Sequence, residues 1–181
     1  MAAVSANAKD RPATASWEIR EATAQDWAAI WEILEPVIRA GETFTWDRDT
    51  TEDQARAKWF KTVPGRTFVA VGTGRFDGVV LGTGELHANQ GGGGSHVANA
   101  GYMVRAGYGG QGVARALCAY SLDAARAAGF RAMQFNAVVE SNVRAVAAWQ
   151  AMGFEILATI PEAFRHPQLG YVGLHVMYRK L

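Results

Sequence analysis

The sequence predicts an α+β fold: a mixed, mainly antiparallel central sheet flanked by helices. Three observations carry this. The chain opens with helical periods and then runs through successive strand-like segments joined by short turns, an order that favours antiparallel neighbours. One strand-helix-strand stretch follows, and only there is a parallel crossover required. The chain has 181 residues and 49% hydrophobic content, the size and composition of one domain with a sizeable core.

Residues 1–16 are small and polar without period and read as a disordered tail, which leaves 17–181 as the folded domain. Thr23 begins a capping-box-like T-x-x-D, and Trp27, Ile30, Ile33, Leu34 and Val37 recur at helical spacing up to Gly41. A second helix is expected in "TEDQARAKWFKTV". "RTFVAVG" and "GVVLGTGELHA" read as strands parted by a turn around Arg75 to Gly78. "QGGGGSH" then reads as a flexible hairpin loop, because no helix follows it to offer amides. "VANAGYMVR" is the next strand. A helix runs from Gly112 through Leu117, Tyr120, Ala124 and Ala128 to a terminating Gly129. Strand "RAMQFNAVV", helix "NVRAVAAWQAM", strand "FEILATI", a loop with Pro161 and Pro167, and strand "YVGLHVMYR" complete the order.

The 18 basic and 17 acidic side chains nearly cancel, so no overall field draws the chain to nucleic acid or to a membrane surface. No apolar run is long enough to span a bilayer, and the N-terminus lacks the apolar stretch of a signal peptide. A soluble, cytoplasmic protein is expected. The single cysteine excludes an internal disulfide and a multi-cysteine metal site. Mid-helix Cys118 reads as a small buried hydrophobe.

Any anion must therefore be held locally, and "VRAGYGGQGVARAL" offers the means. Gly107, Gly109 and Gly112 form a G-x-G-x-x-G that opens a helix, where free amides and the positive end of the dipole meet a phosphate. A dinucleotide-binding fold uses the same device. It places the device in the first of several parallel units, with an acid about 20 positions on. Here the glycines follow antiparallel strands, Asp123 lies inside the helix, and Glu140 is the only acid near a following strand end. A nicotinamide-dependent oxidoreductase is the disfavoured reading.

"GYGGQGVARAL" also resembles motif A of the GNAT N-acetyltransferase superfamily, Q/R-x-x-G-x-G/A, with Gly112, Val113 and Ala114 at the last positions. Asn142, Ala145, Trp149, Gly153 and Phe154 are similar to the family's next motif, N-x-x-A-x-x-x-Y-x-x-x-G-F. The opening "EIREATAQDW" looks like the family's first strand and helix, and the proline-containing "PEAFRHPQLGYVG" resembles its small-molecule phosphinothricin-type and proline-analogue members. The resemblance implies a sheet splayed between the fourth and fifth strands, acetyl-CoA as cosubstrate and no metal. It also implies a small-molecule amine acceptor, an amino acid or analogue of one, acetylated by direct attack in a ternary complex. Met103 and Val104 would pair their backbone with pantetheine, and Asn142 would hydrogen-bond the pantetheine arm. Gly109, Gly110, Gly112, Val113 and Ala114 would give amides to the pyrophosphate. A homodimer through the terminal strands is common in similar proteins.

Two departures stand out. Gly109 occupies the Q/R position, so binding rests on backbone amides, with Arg115 or Arg105 as candidate helpers. Trp149 replaces the tyrosine that often protonates the leaving thiolate, and indole is no acid at neutral pH. Trp149 then either lines the pantetheine or fills the core. The same replacement keeps open a non-catalytic acyl-CoA-binding or sensing module.

On the acceptor side, many family members carry a glutamate where this chain has Asn99, and Asn136 is the matching polar group on the facing strand. Either these two asparagines orient the amine, or they are satisfied by hydrogen bonds within the protein. Glu85, His87 and His96 are the candidate bases, with a water chain as the alternative; alternation puts Glu85 and His87 on one face of their strand. "GETFTWD" and "PEAFRHPQLGYVG" lie where the family has acceptor loops, with Arg165 or His166 as a candidate carboxylate clamp.

Overall fold

A computed structural model describes residues 16–181. The proposed tail otherwise lies outside the described residues, but its last member, Ser16, opens the first strand. Seven strands form one sheet: β1 (Ser16–Glu21), β2 (Arg66–Thr73), β3 (Val80–Ala88), β4 (Val97–Val104), β5 (Ala132–Val139), β6 (Glu155–His166) and β7 (Gly170–Lys180). Their spatial order is β1-β2-β3-β4-β5-β7-β6. Only β4 and β5 run parallel, across α3 (Val113–Ala127); every other neighbour pair is antiparallel. The mixed, mainly antiparallel sheet expected from the sequence is therefore present.

Helices cover both faces. On one, α1 (Trp27–Ala40) and α2 (Glu52–Trp59) bury Trp27, Ile30, Ile33, Leu34, Ile38 and Trp59 against Val69, Val80 and Met103. On the other, α3 and α4 (Val143–Ala151) bury Leu117, Leu122 and Trp149 against Phe68, Leu81, Met133, Phe135 and Met177. The start of α1 is fixed by a carboxylate. Asp26 accepts from the Thr23 amide at 2.7 Å and from both Arg20 guanidinium nitrogens at 2.8 and 2.7 Å. The Arg20 hydrogen bonds, helped by Thr23 and opposed by burial, lower the Asp26 pKa to about 2.

One element differs from expectation. Pro161 does not lie in a loop: β6 continues through it to His166, and the β6–β7 register shifts between Ile160 and Phe164. Pro161 is tolerated because β6 is the sheet edge, where a missing ladder N–H is harmless, and the shift absorbs the distortion. Among the described residues no helix is long and apolar enough to cross a membrane.

Candidate active site

The parallel pair is joined only at its start, Val97 with Ala132 and Ala98 with Met133. Beyond that, β4 and β5 part. Tyr102 of β4, Phe135 of β5 and Trp149 of α4 meet beneath the opening, with ring centroids 5.2 Å (Tyr102–Trp149), 5.5 Å (Phe135–Trp149) and 6.1 Å (Tyr102–Phe135) apart. Three large rings at this point act as a wedge and keep the strands from closing, each contact adding about 0.5–1.5 kcal/mol beyond burial. Trp149 is therefore packed into the core and at the same time lines the opening.

The ladder to β3 decides which backbone groups face the gap. The Arg105 amide donates to Leu81, and the Asn89 amide to Val97. In an antiparallel pair both polar groups of a residue point the same way and alternate along the strand, so odd-numbered residues of β4 bond β3. Ala100, Tyr102 and Val104 thus turn their backbone into the gap. Val104 leaves its backbone open to the gap, whereas Met103 is paired with Thr83 and its side chain sits in the core below α1.

The gap leads from β4 into the glycine loop. Gly107, Gly110 and Gly112 have φ of +86°, +77° and +96°, and only Gly112 would bring a Cβ near anything, the Trp17 ring at 3.9 Å. Gly112 caps α3 with no side-chain bond, so the first amides, of Val113 and Ala114, point outward uncapped. The geometry fits an anion held by backbone. Arg105 cannot assist: its guanidinium is spent on Val80, Ala29 and Glu32. Arg115 is exposed on the first turn of α3. Asn142 lines the cavity while its Oδ1 accepts from the Ala145 amide at 3.3 Å, capping α4.

On the α1–α2 side the gap widens into a cavity of about 430 Å³. Glu85, His87, Asn99 and Asn136 all line it, so the sheet brings together the acid, the histidine and both asparagines named from the sequence. Glu85 is 7% exposed; its Oε2 meets His87 Nδ1 at 2.6 Å and Lys61 Nζ at 3.6 Å. A Cβ on Gly101 would lie 3.1 Å from Glu85 Oε1, so a side chain there would push the carboxylate aside by a few tenths of an ångström. Asn99 and Asn136 are bridged by a third asparagine. Asn89 Oδ1 accepts from Asn99 Nδ2 at 3.2 Å and Asn136 Nδ2 at 2.6 Å, while Asn136 Oδ1 accepts from Gln134 at 2.8 Å. Thr43, Phe44, Thr45 and Trp46 of the "GETFTWD" loop supply the opposite wall, with Lys58, Trp59 and Lys61.

The second expected loop is not there. Arg165 and His166 lie at the end of the edge strand β6 and do not line the cavity; His166 Nδ1 accepts the Gln168 and Leu169 amides at 3.2 and 3.3 Å and so holds the β6–β7 turn. His96 sits before β4, exposed and away from the cavity. Cys118 is fully buried, and burial raises its pKa to about 11, which suits an inert packing thiol. Tyr102 presents no free acid either: its hydroxyl contacts Ser121 Oγ at 2.5 Å, and burial pushes its pKa well up.

A family model described as the acetyltransferase (GNAT) family matches residues 25–154, spanning the glycine loop, both parting strands and Trp149. The chain belongs to the GNAT acetyltransferase family.

As a GNAT protein it is an acyltransferase, and the oxidoreductase reading falls. Asp123 is spent on Arg126 at the surface, and Glu140 on the Gly173 amide. A GCN5-related N-acetyltransferase from Kribbella flavida is 48% identical, with a TM-score of 0.87 over 91% of this chain and 98% of that one. Two more distant structures share the fold. One is a phosphinothricin acetyltransferase from Sinorhizobium meliloti in complex with AcCoA, at 22% identity and TM-score 0.79 over 93% of this chain and 89% of that one. The other is a ribosomal-protein-alanine N-acetyltransferase from Brucella melitensis, at 21% and 0.77 over 91% and 99%. Among curated proteins no sequence match to this GNAT chain is found. Asn89, Lys58 and Lys61 went unmarked in the sequence because single polar residues at element ends carry no periodic signal.

Proposed function

We propose that this GNAT enzyme transfers the acetyl group of acetyl-CoA to the amine of a small molecule, an amino acid or amino-acid analogue, by direct attack in a ternary complex. One observation carries the reading: a single open seam joins an uncapped helix N-terminus, unpaired strand backbone and a polar cavity.

Each part has a use. The amides of Gly109, Gly110, Gly112, Val113 and Ala114 would receive the pyrophosphate, and the backbone of Ala100, Tyr102 and Val104 would pair with pantetheine. Asn142 keeps its side-chain NH2 for the arm. Acetyl-CoA supplies the activated acyl group as a thioester. Asn99 and Asn136, held by Asn89, line the acceptor's place, and Glu85 serves proton transfer through the His87 it contacts. Phe44, Trp46 and Trp59 offer an apolar wall, while Lys58 offers positive charge for an acceptor carboxylate. With Trp149 offering no acid, the departing sulfur takes its proton from solvent.

We place the reaction in the cytoplasm and expect a homodimer. Its support is the β6–β7 edge, where Leu157, Ile160 and Tyr171 are 58%, 50% and 65% exposed.

The test is thiol release from acetyl-CoA against amino acids, proline analogues, phosphinothricin-like compounds, polyamines and a histone-like peptide. Turnover confined to one small amine with a carboxylate is expected. Binding of acetyl-CoA without turnover of any amine is the signature of the sensing module instead.

A further inference from the structure

We infer that His87, oriented by Glu85, is the group that takes the proton from the acceptor amine; the inference rests on the transferase reading above. An ionised Glu85 only accepts hydrogen bonds, and across the 2.6 Å contact it holds the proton on His87 Nδ1. Nε2 of the neutral ring is then the basic nitrogen. The two side chains differ in access. Glu85 is nearly buried, its Oε2 is shared between His87 and Lys61, and its Oε1 lies over Gly101. The imidazole is a third exposed and lines the cavity, directly across the ladder from Asn99.

The charged groups that line the cavity with the ring are Glu85 on its own strand, Lys58 on α2 and Lys61 just after it, with Asn99 on β4 and Asn136 on β5 among its polar groups. Lys61 is itself tied to the Lys58 carbonyl at 2.6 Å, so its charge stays beside the carboxylate. A buried acid, oriented toward an accessible imidazole, is how a histidine is fixed in one tautomer and its positive form stabilised.

The step balances. An acceptor amine arrives protonated, and Nε2 takes that proton, freeing the nitrogen lone pair. The lone pair forms the N–C bond to the acetyl carbon while the C–S bond breaks and its electron pair leaves on sulfur. The second N–H proton of the new amide-forming nitrogen and the proton on His87 pass to solvent, from which sulfur regains one. Glu85 touches neither reactant and is a positioning residue.

The test uses the full chain and the amine that turns over best. His87→Gln is expected to lower kcat/KM by about 10²–10⁴-fold, the usual worth of a general base, and to remove the acid limb of the pH profile. Its acetyl-CoA affinity and melting temperature should stay near wild type. His87→Ala should regain rate with added imidazole, which a structural role would not allow. Glu85→Gln should lower kcat but keep the acid limb, and ¹⁵N spectra of the histidine should lose the single Nδ1–H tautomer expected of wild type. Unimpaired His87→Gln in an active enzyme, or loss of the acid limb in Glu85→Gln alone, overturns the inference and makes Glu85 the base. A wild type inert toward every amine removes the transferase reading, and the inference with it.

Discussion

Gly109 sits where the family motif has a long polar side chain, and Gly109→Arg would supply one. The structure sets the cost of the change. A Cβ at Gly109 meets nothing within 4 Å, and its φ lies outside the left-handed region, unlike Gly107, Gly110 and Gly112. The backbone therefore accepts arginine without strain, and the unfolded chain loses freedom, which adds about 0.4–1 kcal/mol to stability. A charge-assisted bond from guanidinium to pyrophosphate is worth about 1.5–3 kcal/mol, against roughly 1.5–2 kcal/mol to order the exposed side chain. The middle of these ranges leaves a net gain of about 0.5 kcal/mol, which corresponds to roughly two-fold tighter acetyl-CoA binding. Calorimetry should show that gain, and it should shrink as salt is raised. The control is Gly110→Arg, where φ of +77° imposes a strain of about 1–2 kcal/mol. If Gly109→Arg melts at or above wild type yet binds acetyl-CoA no better, the pyrophosphate does not lie on this loop.

Two further outcomes can be checked. Asp26 has a folded pKa of about 2, below its unfolded value of about 3.9, so its stabilisation is complete above pH 4 and is lost as pH falls toward 2. Urea unfolding should show up to about 2 kcal/mol disappearing over that window in wild type, with a smaller drop in Asp26→Asn; half-exposed Arg20 makes this an upper figure. Asn89→Ala removes the shared acceptor of Asn99 and Asn136. It should raise KM for the amine several-fold in steady-state assays and cost about 1–2 kcal/mol of stability, while leaving acetyl-CoA affinity unchanged.

What the sequence alone carried is what local chemistry dictates. The period of Trp27, Ile30, Ile33 and Leu34 marked α1, the glycines ahead of Val113 marked a helix start with no side-chain cap, and the i, i+2 spacing of Glu85 and His87 put them on one face. Each follows from one segment's geometry, so no neighbour is needed to read it. The edge position of β6 was not legible, because whether a proline ends a strand depends on which strands flank it. Strand parity was likewise silent: Met103 and Val104 look alike in sequence, and only the ladder to β3 turns one toward its partner and the other into the gap. His166 and Arg105 read as candidate anion contacts until folding committed one to a turn and the other to Glu32. The cluster of Glu85, His87, Lys61 and the three asparagines joins β3, β4, β5 and the segment after α2. Such a site is decided by tertiary structure alone, since side chains far apart in the chain acquire their distances only when the sheet pairs and its faces are packed.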